Sequence, residues 1–233
     1  MSGLRTAYVR AVRGTRGIAE RSGLLARLGN SASPVLRHVR TLFSIHDVDD
    51  LVAQDLAWWS YPAMREVERF LARRADARVF EYGAGASTVW LAKRAARVHS
   101  VEHDAEFGRH VAAMVADLPN VELRVVAPTP AGPGSRARSG RAGHEDLAFD
   151  DYVDAIEAVG GRFDLIVVDG RARVDSFRRA LEHLADDGLI VFDNVRRARY
   201  RPAVEAPGLR VRHLRGATPA LPYPTTTGLI SRG

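Results

Sequence analysis

Residues 79–104 read VFEYGAGASTVWLAKRAARVHSVEHD, and two apolar runs in it each end on a carboxylate. ARVFEY (77–82) carries Glu81 and RVHSVE (97–102) ends on Glu102, with a helical stretch, Ser87 to Ala96, between them. A short apolar strand, a glycine turn, a helix and a second short strand make a βαβ unit with parallel strands. Gly83 and Gly85 permit a tight turn and a close approach of backbone to a ligand, while Ser87 or Thr88 caps the following helix.

Outward from this unit the alternation continues. Ala105 to Leu118 reads as helix, VELRVVA (121–127) as strand, Phe149 to Val159 as helix and FDLIVVD (163–169) as strand. Val174 to Ala185 is the next helix, LIVFD (189–193) the next strand, and a short helix follows near Ala198–Val204. LRVRHL (209–214) and TTTGLIS (225–231) close the chain as strands. The pattern predicts an α/β fold: a doubly wound, mostly parallel sheet with helices on both faces. Between strands three and four, residues 128–146 begin PTPAGPGSRARSGRAG and predict a mobile loop. Before the first strand, Asp50 to Arg74 is helical, with Pro62 marking a new helix start. It carries Trp58, Trp59 and Tyr61, in which one tryptophan faces the core and the other covers a ligand.

The basic charge has a location. Residues 1–46 hold eight arginines and one acid, Glu20, whereas the rest of the chain holds 26 basic and 27 acidic residues. The net +6 therefore belongs to an N-terminal arm of broken amphipathic helices, with Leu4, Tyr8 and Val12 at helical spacing, ahead of a near-neutral body over 47–233. A self-packing arm or a contact that builds a homo-oligomer is favoured over a membrane surface or nucleic acid. The chain has no cysteine, which removes disulfides, thiolate metal sites and a cysteine nucleophile, and suits a reducing cytoplasm. No run approaches the length of a membrane span, and the N-terminus lacks the apolar core of a secretory signal.

In a doubly wound sheet the ligand lies beyond the carboxyl ends of the strands. Four of those ends carry an acid: Glu81, Glu102, Asp169 and Asp193. Such a rim suits a cationic ligand. A nicotinamide dinucleotide is the competing reading of Gly-x-Gly with an acid 19 residues on. Thr88 stands where that motif has its third glycine, and Glu81 would repel a pyrophosphate.

EYGAGAST followed by SVEHD resembles the nucleotide-binding half of class I S-adenosylmethionine-dependent methyltransferases, and the resemblance covers about Val79 to Ser231 of the 77–231 core. The resemblance implies a seven-stranded Rossmann-like sheet with its last strand antiparallel at the end of the sheet. It implies that Gly83, Gly85, Ser87 and Thr88 build the cofactor turn, that Glu81 orients the methionine amine, and that Glu102, followed by His103, takes the ribose hydroxyls. Ser87 replaces a third glycine found in many members, and VVAPTP (125–130) offers no adenine contact. Asp169 with Asp193 and Asn194 is similar to the triad that holds Mg²⁺ in catechol-type O-methyltransferases. In the competing reading Asp169 caps the next turn while Asp193 pairs with Arg171 or Arg173; without a metal Asp169 is the general base, with His144 as a second candidate. Function is expected to be methyl transfer to a small molecule, at a hydroxyl oxygen. A nicotinamide-dependent oxidoreductase, a non-catalytic S-adenosylmethionine-binding protein and an RNA methyltransferase are the alternatives.

Overall fold

The computed structural model describes residue 12, residues 14–45 and residues 47–233. Leu4 and Tyr8 of the arm lie outside the described residues. Seven strands form the main sheet: β1 (Arg78–Tyr82), β2 (Arg97–Glu102), β3 (Val121–Val125), β6 (Phe163–Val168), β7 (Leu184–Phe192), β8 (Leu209–Gly216) and β9 (Thr225–Arg232). Their order is β3-β2-β1-β6-β7-β9-β8. The first five run parallel, and β9 is antiparallel to both its neighbours. Chain order reverses between β1 and β6, which places the ligand crevice at their carboxyl ends.

Side chains alternate across the sheet, and each face has its own core. Phe80, Tyr82, Ile166, Val168, Ile190 and Phe192 pack with Phe149, Tyr152 and Phe177 on one side. Val79, Leu165, Val167 and Val191 pack with Trp59, Val67, Trp90 and Leu91 on the other. Continuous apolar strands thus follow from burial on both faces.

The last strand is not at the end of the sheet, as expected, but one place in from it. Burial explains the exchange. Thr226 to Ile230 of β9 are all buried, whereas β8 exposes Arg210, Arg212, His213 and Arg215. Charged side chains on an edge strand also guard it against pairing with another chain. β7 begins at Leu184, five residues ahead of the expected start, directly after α9 (Arg173–His183).

The helical stretch before β1 is two helices, α4 (Val48–Ala53) and α5 (Tyr61–Leu71). Between them Asp55 sits at φ 53° and binds Arg94 and Lys93. In the arm, α1 is described over 14–21, followed by α2 (Leu24–Gly29) and α3 (Pro34–Thr41). Its arginines act partly as fasteners. Arg40 binds Asp50 through two bonds of 2.8 and 2.6 Å, and Arg16 binds Asp47. The 128–146 segment is tied down as well. β4 (Thr129–Pro130) pairs with β5 (Leu147–Ala148), Arg136 reaches Asp154 at 2.7 Å, and Arg199 reaches the Gly140 carbonyl at 2.9 Å. Among the described residues no helix is long and apolar enough to cross a membrane.

Candidate active site

The turn after β1 is built from beneath. Glu81 is fully buried and accepts hydrogen bonds from Ser87 Oγ (2.5 Å), Thr88 Oγ1 (2.6 Å) and Ser100 Oγ (2.7 Å). Thr88 Oγ1 also accepts the Gly85 N–H at 2.9 Å. The carboxylate therefore binds the turn, the start of α6 (Ala86–Ala92) and β2 together. It faces these hydroxyls rather than an open site. Burial raises its pKa to about 7, against the opposing pull of the three hydroxyls.

Only Gly83 is required by the backbone. It sits at φ 95°, and a Cβ there would lie 2.6 Å from the Gly170 Cα and N. The turn after β1 and the turn after β6 are thus in direct backbone contact. Gly85 is extended, a conformation any residue adopts, and a Cβ there would meet only Phe107 at 3.8 Å. The start of α6 is itself covered: Ala86 is buried in a cluster with Ile45, Leu51 and Ala220.

Glu102 is buried at the end of β2, and its Oε1 accepts the N–H groups of His103 and Asp104, both at 2.9 Å. His103 Nδ1 lies 2.5 Å from the same oxygen without the alignment of a hydrogen bond. A buried carboxylate held by one oxygen has the other to offer to a pair of hydroxyls, as a ribose presents. Together with the glycine turn, this acceptor set matches the chemistry of the nucleoside and methionine parts of S-adenosylmethionine. His144 is brought here from the 128–146 segment. Its ring stacks on Phe149 and lies 6.1 Å from the His103 ring.

At the ends of β6 and β7 stand Asp169 and Asp193. The Asp169 side chain keeps 23% of its exposure and Asp193 only 7%, so Asp169 is the reachable one. Burial raises both pKa values, Asp193 to about 7 with the added effect of the nearby Asp169 charge. Arg173 lies between them. Its Nη2 donates to Asp169 Oδ1 at 2.5 Å, and its Nη1 donates to the Asp193 carbonyl at 2.6 Å. The Trp59 indole N–H also lies against Asp169, without full alignment.

The trio fits a divalent cation poorly, because most of its side-chain oxygens already have protein donors. Asp193 Oδ1 accepts from Thr227 Oγ1 at 3.0 Å, and Asp193 Oδ2 accepts from the Asn194 amide nitrogen. Asn194 Oδ1 in turn accepts from Arg197 Nη2 at 2.9 Å.

Residues 80–195 match a family described as a methyltransferase domain. The chain is a member of the class I S-adenosylmethionine-dependent methyltransferases. The fold of this methyltransferase is similar to that of an O-methyltransferase from Bacillus cereus in complex with SAH. The two are 19% identical over 83% of this chain and 90% of that one, with a TM-score of 0.57. The O-methyltransferase TomG of Streptomyces achromogenes, involved in tomaymycin synthesis and solved with SAM, is 18% identical over 80% and 89%, with a TM-score of 0.56. An rRNA methylase from Streptococcus thermophilus is 12% identical over 76% and 99%, with a TM-score of 0.52. At these identities the likeness is one of fold. No curated protein sequence matches the chain.

Two parts of the site had little signal in the sequence. Thr227 holds Asp193 from the last strand, and only the polar run TTT within a buried strand hints at it. Of the two adjacent tryptophans, Trp59 does both tasks: its ring packs edge-on against Trp90 and its N–H lies against Asp169. Two clefts lie away from this rim. One of about 600 Å³ is lined by Arg78, Arg97, His99 and Glu122, and one of about 160 Å³ by the ion pairs of Arg136 and Arg179.

Proposed function

We propose that this methyltransferase transfers a methyl group from S-adenosylmethionine to a hydroxyl oxygen of a small molecule, with Asp169 as the general base. The observation that carries the reading is the backbone contact between the Gly83 turn and Gly170, which sets Asp169 beside the cofactor turn. S-adenosylmethionine, when bound, supplies an electrophilic methyl group on a sulfonium that is already a good leaving group. The protein's tasks are then alignment and proton removal. Glu102 takes the ribose hydroxyls, with His103 and His144 at that end of the cleft. The backbone of Gly83 to Gly85 lies along the methionine part, and Glu81, Ser87 and Thr88 hold that backbone rigid. At the other end Asp169 accepts the proton of the acceptor hydroxyl as its oxygen takes the methyl group. Its raised pKa improves it as a base, and Arg173 on Oδ1 fixes its orientation.

A small acceptor is supported by the near-neutral charge of the body, and Arg16 and Arg40 of the arm are engaged by Asp47 and Asp50. The buried, hydrogen-bonded Thr88 also opposes a dinucleotide, whose helix packs closely at that position through glycine. The cysteine-free chain suits a cytoplasmic enzyme.

The test is methyl transfer from isotope-labelled S-adenosylmethionine to a panel of phenols, catechols and aliphatic alcohols, read by mass spectrometry. The expected product is an O-methyl ether. Asp169→Asn should lower turnover by about 10²- to 10⁴-fold and leave cofactor binding intact. Label on nitrogen or carbon, or full turnover by the variant, would overturn the assignment.

A further inference from the structure

Arg173 sits in an unusual position for a helix residue. Ala172, just before it, adopts φ 44°, one of four non-glycine residues at positive φ among the described ones. Asn194 at φ 58° is another, so two of the four flank this one cluster. An alanine held in the left-handed region is strained and persists only where its surroundings fix it. Ala172 is the residue from which α9 starts, and Arg173 is its first helical residue. The Arg173 guanidinium makes four hydrogen bonds. Nε donates to the Gly170 carbonyl at 3.1 Å, and Nη1 to the Asp193 carbonyl at 2.6 Å. Nη2 donates to both the carbonyl and the Oδ1 of Asp169, each at 2.5 Å. The Asp193 Oδ2 lies 3.9 Å from Nη1.

A hard cation at this place would need open oxygen atoms from Asp169, Asp193 and Asn194. Most are engaged: Asp169 Oδ1 by Arg173, both Asp193 oxygens by Thr227 and the Asn194 amide, and Asn194 Oδ1 by Arg197, which leaves Asp169 Oδ2 for the acceptor proton. The charge is also met. One guanidinium is shared by two carboxylates, and its planar fork satisfies three backbone carbonyls that a metal ion would leave to water.

We propose that Arg173 stands in the place of a divalent cation, so that acceptor activation in this methyltransferase is metal-independent. The inference rests on the reading of Asp169 as the acceptor end of the site. Arg173 is a positioning residue: it orients Asp169 and Asp193 and balances their charge, and the proton still passes from the acceptor hydroxyl to Asp169.

Mn²⁺ is the probe, followed by its electron paramagnetic resonance signal during titration of wild type, Arg173→Ala and Asp193→Asn. Wild type should leave Mn²⁺ free, and methyl transfer should be unchanged by EDTA. Arg173→Ala frees Asp169 Oδ1 and leaves two carboxylates without their counter-charge, so it should gain Mn²⁺ binding and a Mn²⁺-dependent rise in Tm. A merely structural role for Arg173 predicts no such gain. Binding by wild type that is lost in Asp193→Asn would overturn the proposal. So would a folded Arg173→Ala protein that binds no more Mn²⁺ than wild type. Should Arg173→Ala not fold, the comparison of wild type with Asp193→Asn decides alone. Calorimetry with S-adenosylmethionine on the same samples separates this result from the cofactor assignment, since that assignment fails only if folded protein does not bind the cofactor.

Discussion

Thr88 and Glu81 are joined by a hydrogen bond of 2.6 Å in which the threonine hydroxyl donates to the carboxylate while it accepts the Gly85 N–H. One side chain thus ties the first turn of α6 to the end of β1 and to the glycine turn between them. Thr88→Val keeps the volume and removes the hydroxyl. Glu81 loses a donor and the buried Gly85 N–H loses its acceptor. The expected destabilisation is about 1–3 kcal/mol, read by urea unfolding, with weaker S-adenosylmethionine binding in calorimetry. An unchanged midpoint and affinity would show that the turn does not depend on this bond.

Glu81 also sets a pH dependence. Its folded pKa of about 7 lies above its ordinary value of 4.5 because burial disfavours the charge. The folded state therefore holds a proton that the unfolded chain releases between these values. The stabilisation is full below about pH 4.5 and is lost as pH rises through 7. Its full size is roughly 3 kcal/mol. Glu81→Gln removes this titration. Between pH 5 and 8 the variant's Tm, measured against wild type at each pH, should gain on it as pH rises. A constant difference would mean that Glu81 titrates in the ordinary carboxylate range.

Gly170 leaves no room for a side chain. A Cβ there would fall 2.0 Å from the Tyr152 hydroxyl and 3.0 Å from the Gly83 backbone. Gly170→Ala should cost about 1–3 kcal/mol through overpacking and should separate the two turns that meet at the site. The Tyr152 hydroxyl has no well-aligned partner, so Tyr152→Phe alone should cost little. The double variant should then recover part of the loss, a non-additivity read by thermal unfolding. Strict additivity would place the strain elsewhere.

For the proposed base, the pH profile of turnover has a defined direction. Asp169 must be ionised to accept a proton, and burial raises its pKa. The acid limb of kcat/KM should therefore lie above the usual carboxylate range. Removing Arg173, whose charge holds the pKa down, should move that limb further up. A limb at ordinary carboxylate pH, unmoved by Arg173→Lys or Arg173→Ala, would dissociate Asp169 from the proton transfer.

Much of the fold was legible because β1, β2, β6 and β7 are apolar runs bounded by glycine and acidic residues, and that pattern follows from burial on both faces. The order of the last two strands was not, since it depends on which of two short strands is buried on both faces. The local pattern of LRVRHL carries that information only once its arginines are seen as edge residues. At the site, Glu81 and Glu102 announce themselves as strand-end acids, but their directions do not. Glu81 turns inward to three hydroxyls that come from two different elements, and no spacing rule orients a side chain. Arg173 was one of two arginines able to pair with Asp193. The left-handed turn at Ala172 selects it, and alanine carries no signal of such a conformation.

The central claim is that the Gly83 turn and Glu102 form an S-adenosylmethionine site. Isothermal titration of wild type and Glu102→Ala with S-adenosylmethionine tests it most directly. The account predicts saturable one-site binding by wild type and a loss of about 10- to 100-fold or more in the variant, as the removal of a charged hydrogen-bonding partner from a buried site requires. Absence of binding by folded wild-type protein, or equal affinity in the variant, would contradict it.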